Sequence, residues 1–417
     1  MRKIIIIGLT FLLIVSSSLA AYTYPEFFRE NMTFVPTSTR IEGMGGAGVS
    51  TSTGLDSLYM NPANLANGRF SLYLPAVTVT AFNAKNIVDS GMIQEIMDGN
   101  VGVSTGTKYL NTISVDKGDL LTTDISFGFA GGGFGLALNV QEQLHNIDKG
   151  VDTNLILEVN AAAAIGLGIN LNFIPNILSV DVGATVRPTY KAFTNKIGAQ
   201  GIISDVFGEE EDDDFLQTFL ASNRLAAGYA IPIDVGVNVN LPVGLSVSGV
   251  MRNINGSYTM KDYSEAGLWV NEMLELVSQE TIYEDEAPIG TISGETTITV
   301  PYTIDLGFGW APNLGSFSSI LRPSIAIDLV DVANLPQEME DNEQAIWNHL
   351  RAGAEVKLLS AIDIRAGINK GYMSVGAGFD LLVIHVDAAY YWRETGINIG
   401  DKPIDALSVR FNLGIDG

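Results

Sequence analysis

The sequence predicts an all-β protein, a closed antiparallel up-and-down transmembrane β-barrel of about fourteen strands. Three observations carry that prediction. Apolar and polar residues alternate with period two over most of the chain from residue 69 onward, the signature of strands with one greasy and one wet face. Long links between these segments take turns with links of a few residues, as when every second loop of a barrel emerges on the same side of a membrane. Charged residues of the late segments gather on a single register.

The chain opens with Arg2 and Lys3, an apolar run from Ile4 to Val15, and the small residues Ser16 to Ala21. That order is a secretory signal peptide, with cleavage expected after Ala20; the run is too short for an anchor helix, which needs about 20 apolar residues. The protein is therefore expected to be exported. It has no cysteine, so lipid attachment through a cysteine, disulfides and thiolate chemistry are excluded. Against 23 Lys+Arg stand 47 Asp+Glu, a net charge of −24, which repels nucleic acid. Residues 42–48, EGMGGAG, contain G-x-G-x-x-G. A dinucleotide site needs a strand feeding that turn and a helix leaving it, and neither flank supplies one. No cofactor is expected.

The alternating segments centre on residues 70–82, 121–130, 133–144, 153–172, 178–192, 226–241, 244–258, 298–311, 319–332, 346–358, 361–369, 372–380, 382–393 and 404–415. Pro75 stands where the first segment changes phase, as at a bulge. The links 83–120, 193–225, 259–297 and 333–345 are long, whereas 131–132, 242–243 and 381 are tight; only Lys370-Gly371 is short where a long link is expected. In the last segments Arg351, Glu355, Lys357, Asp363, Arg365, Asp380, His385, Asp387, Arg393 and Arg410 share the polar register, and Ile384, Val386, Ala388, Tyr390 and Trp392 the other. A Lys or Arg facing lipid at the bilayer midplane costs about 2–4 kcal/mol, so the charges are expected to face the bore. Tyr190, Tyr258, Tyr302, Trp310 and Trp392, near segment ends, are candidates for interfacial aromatic girdles, though each is equally a common sheet former.

Two external links carry helical patterns: Phe215, Leu216, Phe219 and Leu220 fall on one face behind an Asp214 cap, and Trp269, Met273, Leu276 and Val277 recur at i, i+4, i+7 and i+8. A weaker pattern lies near 86–98. The acidic run Glu209 to Asp214 reads as a solvated loop and lacks the spacing of a calcium site, so no metal is expected. His145, His349 and His385 are the only histidines. No serine is placed beside one, and His385 reads as part of a charge network, not of a hydrolase.

The stretch TRIEGMGGAGVSTSTGLDSLYMNPANLANG, residues 39–68, with Asn61-Pro62-Ala63 after a glycine-rich run, resembles the N-terminal plug region of the FadL-type outer-membrane long-chain fatty-acid channels. Residues 350–396 are similar in layout to the last hairpins of that family and of its PorV-like relatives. The chain departs from the pattern in ending Ile415-Asp416-Gly417 instead of on an aromatic. The resemblance implies a signal peptide (1–20), an N-terminal hatch (21–67) folded into the lumen, and an outer-membrane barrel (68–417) that acts as a monomer and not as an enzyme. It also implies plug roles for Gly43, Gly45, Gly46, Gly48, Asn61, Pro62 and Ala63. The two amphipathic helices become either a capture groove for hydrophobic molecules or a packed cap. Arg351, Lys357, Arg365 and Arg410 either meet a ligand carboxylate or pair with Asp363, Asp380 and Asp387 across the wall. Passive uptake of fatty acids or other small hydrophobic molecules, released sideways past the plug, is the implied function; the alternative is a PorV-like barrel that binds proteins for a secretion system.

Overall fold

Fourteen antiparallel crossings close on themselves in the computed structural model, which describes residues 33–68, 70–99, 102–113, 118–146, 154–175, 177–198, 215–276, 278–283, 294–394 and 399–415. The first four are β1 (Ser71–Phe82), β2 (Gly118–Gly131), β3 (Phe134–Asn146) and β4 (Asn154–Ile174). The next four are interrupted: β5 (Leu178–Val186, then Thr189–Thr194 and Ile197–Gly198), β6 (Leu225–Ala230, then Ile233–Asn240), β7 (Leu245–Ile254, then Tyr258–Tyr263) and β8 (Thr296–Ile298, then Thr303–Trp310). The wall is completed by β9 (Leu321–Leu329), β10 (Leu350–Leu358), β11 (Ile362–Asn369), β12 (Tyr372–Leu381), β13 (Ile384–Glu394) and β14 (Pro403–Ile415). Every neighbour in sequence is a neighbour in space, and β1 pairs with both β2 and β14, so no edge is left open. The expected phase change at Pro75 is present as a register shift between Tyr73 and Ala76. No described helix is long and apolar enough to cross a membrane.

The side chains sort as the alternation requires. Leu138, Val140, Ile165, Leu167, Ile169, Val235, Phe308, Ile327, Ile364, Val375 and Phe411 are exposed on the outside, whereas Thr80, Asp124, Gln141, Glu158, Asp181, Asp234, Asp328, Arg365, Asp387 and Arg410 are buried within. An exterior that would be poorly hydrated in water is the surface that acyl chains cover, and the charges are spared lipid by facing one another.

The interruptions of β5 to β8 lie side by side. Arg187-Pro188, Ile231-Pro232, Asn255 to Ser257 and Thr299 to Tyr302 break four adjacent ladders, three of them at a proline, which cannot donate to a ladder. A few bonds stitch the gap: Arg187 N–H donates to Pro232 O at 2.9 Å and Ala163 N–H to Pro188 O at 3.0 Å. The sequence suggested continuous segments here; the seam is a correction. Two girdle expectations also change. Tyr258 is fully buried and faces the bore, and Tyr190 is covered by an external helix, while Tyr302 is exposed outside.

Candidate functional site

Residues 33–67 fill the bore. Ser38 caps the helix α1 (Thr39–Gly43), accepting from Ile41 N–H; Asn61 caps a 3-10 turn (Pro62–Asn67), its Oδ1 accepting from Ala63 N–H at 3.0 Å while Nδ2 donates to Val49 O at 3.0 Å. The glycine-rich run takes the chain along the wall. Gly45 has φ +67°, and a Cβ there would lie 2.5 Å from Ile368 N, so both the turn and the close approach require glycine. Gly43, Gly46 and Gly48 sit beside Gly376, Arg351 and Met60 respectively. The wall is cut to match: a Cβ on Gly353 or Gly367 would overlap the Met44 carbonyl, and one on Gly236 would overlap Asn61 Oδ1. Sequence reasoning assigned glycines to the plug and missed their partners in the wall.

Polar latches hold this segment. Arg40 forks onto Glu355, Nε to Oε2 at 2.8 Å and Nη2 to Oε1 at 2.9 Å. Asp328 accepts from Gly48 N–H at 2.6 Å and Val49 N–H at 2.9 Å. Arg252 donates to the Tyr59 and Met60 carbonyls and to Asp305 at 2.6 Å. Thr39 Oγ1 lies 2.9 Å from Ser408 Oγ, and Ser50 Oγ donates to Ser248 Oγ at 2.8 Å.

Of the cations singled out from sequence, Arg365 bonds Glu355 at 2.6 Å and Asp387, with Asp363 at 3.2 Å. Lys357 pairs with Asp380 at 2.5 Å, His385 Nδ1 lies 2.8 Å from the same carboxylate, and Arg410 stacks its guanidinium 4.3 Å from the centre of the Tyr73 ring. Arg351 packs its stem 3.2 Å from where a Cβ on Gly46 would stand. Below the plug, towards the short turns, Glu355, Lys357, Asp363, Arg365, Asp380, Asp387 and Arg410 line a polar cavity of about 520 Å³ together with Asp56, Asn67, Asp181, Asn240 and Arg322.

On the opposite side of the plug the inner wall turns apolar. Ile156, Phe193, Ala226, Ala230, Tyr258, Met260, Ile298 and Val300 form one buried cluster, above the seam. The plug's leading residues stand against it: Phe34 is buried, its N–H donates to Tyr258 Oη at 3.3 Å, and its carbonyl accepts from Arg187 Nη1 at 2.8 Å. Arg187 also forks onto Asp234 at 2.8 and 3.2 Å and reaches Asn253 at 2.9 Å, so one side chain ties the seam to the plug. Beside this patch, His145 lies 2.7 Å from Asp119 and 3.6 Å from Glu158, which in turn pairs with Lys191 at 3.2 Å; Arg393 closes the belt on Asp119 at 2.9 Å. Sequence reasoning found neither the apolar patch nor this belt. The signal was present in Leu225-Ala226-Ala227 and Leu155-Ile156-Leu157, which are apolar on both registers.

The two expected helices form, as α5 (Phe215–Ser222) and α6 (Ala266–Leu276), after α2 (Ala84–Asp89), α3 (Met92–Met97) and α4 (Val103–Ile113) of the first external link; α4 was not foreseen. They cover the outer face of upper β5 to β7, packing Phe219, Leu220 and Ala266 with Ala192, Leu225, Ala227 and Tyr263. Trp269 donates to Tyr190 Oη at 2.9 Å. Met273 is half-buried and Leu276 is 74% exposed; Val277 and the acidic run 209–214 lie outside the described residues, as do the side chains of Phe215 and Leu216. Glu272 accepts from Tyr263 Oη at 2.6 Å and pairs with Lys261 at 2.9 Å, and those two contacts hold its carboxyl below the usual range. In the external turn, burial and the nearby Arg351 and Arg393 depress the Lys370 ammonium. Among the described residues no cluster of His, Asp and Glu has the makings of a metal site.

No protein-family model and no curated protein matches the sequence. Among solved structures the chain is similar to a Pseudomonas aeruginosa FadL homologue (11% identity, 91% of this chain and 98% of that one, TM-score 0.38). It is also similar to the Ralstonia pickettii toluene transporter TbuX (11%, 91% and 97%, 0.42) and the Pseudomonas putida toluene transporter TodX (9%, 91% and 97%, 0.43).

Proposed function

We propose that the chain is an outer-membrane channel for passive uptake of small hydrophobic molecules, long-chain fatty acids among them. One observation carries the reading: an apolar patch faces the bore above the plug, and the plug's leading residue Phe34 stands directly against it. Apolar solute prefers that patch to the polar cavity below it. A molecule gathered among the external helices would take the place of Phe34 against Tyr258 and Met260. Displacing Phe34 removes the carbonyl that Arg187 holds, and with it one tie across the seam of β5 to β8. The sideways route then opens where the ladder is already broken, and the solute avoids the ionic cavity. Residues 21–67 serve as the hatch and the cations of the bore serve to hold it.

The test is equilibrium binding of a fluorescent long-chain fatty acid to the barrel in lipid nanodiscs. Saturable binding is expected, weakened about tenfold, or 1.4 kcal/mol, by Met260→Lys, which places a charge in the patch, and more mildly by Trp269→Ala with Met273→Ala. Absence of saturable binding would reject uptake and favour the protein-binding alternative.

A further inference from the structure

The residues of the six short turns carry no charge, and the guanidinium that reaches Ser360 among them, at 2.5 Å, is that of Arg322 on β9. Residues 132–133, 175–177, 241–244, 311–320, 359–361 and 382–383 include no Asp, Glu, Lys, Arg or His, in a chain that is 17% charged. Their tips instead present Ile177, Val243, Phe317, Leu359 and Leu382, exposed at 57, 74, 66, 66 and 88%. Three of these tips work against their own backbone. Val243, Leu359 and Leu382 have φ of +58°, +51° and +56°, the left-handed region that favours Gly or Asn and that a β-branched side chain rarely adopts. A turn facing water gains nothing from such a choice.

Wall height says what covers them. β11 has 8 residues and β12 has 10, and at roughly 3.4 Å per residue and about 40° of tilt they rise about 20–26 Å. The apolar band of a membrane barrel is about 25 Å tall. These strands have no length left with which to lift Leu359 and Leu382 clear of the bilayer, and the exposed outer face runs without a charge from Ile364 and Phe379 through Leu381 to Leu382 and Val383.

We propose that the short-turn rim is seated inside the membrane interface, its tips covered by acyl chains of the adjoining leaflet. The polar cavity therefore opens at lipid level. The proposal rests on the membrane-spanning fold and stands whether or not the channel carries fatty acids.

Because the chain lacks cysteine, single cysteines report directly. Val243→Cys, Leu359→Cys and Leu382→Cys, each labelled with bimane in phosphatidylethanolamine–phosphatidylglycerol vesicles, should be quenched by doxyl-labelled lipid. Each should also react at least about tenfold more slowly with a membrane-impermeant maleimide than Gln279→Cys, an exposed external position. Equal reaction rates without quenching would overturn the proposal. Fast reaction in vesicles with protection only in native membranes would overturn it too, in favour of a protein partner. A second measurement does not depend on labelling. Val243→Asn supplies the residue preferred before Gly244 in a water-facing turn, so a melting temperature in vesicles that is raised or unchanged contradicts lipid cover, and a lowered one is expected.

Discussion

At the scale of single residues, the plug is held by complementarity more than by any one bond. Gly367 and Gly353 exist as glycines because the Met44 carbonyl occupies the space of their side chains. Gly367→Ala is therefore expected to leave barrel assembly intact and to unseat the plug, at a cost of about 1–3 kcal/mol from overpacking. Limited proteolysis should cleave within residues 40–50 in the variant and not in the parent; equal resistance would contradict the fit. Arg365 is a different case. It is 5% exposed and meets Glu355, Asp363 and Asp387, so Arg365→Leu takes a partner from three carboxylates, of which Glu355 keeps Arg40 and Asp363 keeps Lys357 at 3.6 Å. A loss of about 3–5 kcal/mol is expected, as for removal of one partner of a buried pair, read as a lowered heat-modification temperature. Pairing of Arg365 with Asp363 and Asp387 across the wall was among the sequence expectations; the hold of Arg40 on Glu355 was not legible, because the two stand 315 positions apart and alternation gives the face of a residue but not its partner across the bore.

At the scale of elements, what was legible was local. Period two fixes which side of a strand is wet, and it suffices to set Arg365, His385, Asp387 and Arg410, all buried, on one register with the half-buried Arg351 and Lys357. Helical spacing found α5 and α6 for the same reason. The seam of β5 to β8 was not legible: a proline in an alternating run reads as one local defect, and only pairing shows four defects in a row. The outer position of the helices was equally hidden, since an apolar stripe does not say which surface it covers. Their docking yields a prediction. Because the folded-state pKa of Glu272 is depressed by Tyr263 and Lys261, its contribution is complete above the ordinary glutamate value of about 4.3 and is lost as pH falls through the lower folded value. Hydrogen exchange in residues 264–276 should stay slow at pH 6 and speed up only below about pH 4, and Glu272→Gln should flatten that dependence. Protection unchanged down to pH 3 would remove Glu272 from the account.

At the scale of the whole molecule, the barrel is a stack of environments: rim of uncharged turns, ionic cavity, latched plug, apolar inner wall, helices clasping the outside. Above the seam the inward register of β5 to β8 is largely apolar, with Lys191 kept in the charged belt beside it. The proposed coupling of uptake to closure rests on the order of these layers, because the plug's first described residues lie on the surface that a hydrophobic solute would occupy. The most direct measurement is a reversible lock on the plug. Ser50 and Ser248 have their Oγ atoms 2.8 Å apart, close to what a disulfide requires once sulfur replaces oxygen, and no other cysteine competes. With Ser50→Cys and Ser248→Cys in vesicles, uptake of a fluorescent fatty acid should cease on oxidation and return on reduction. Equal uptake in the two states would show that the plug does not stand in the path.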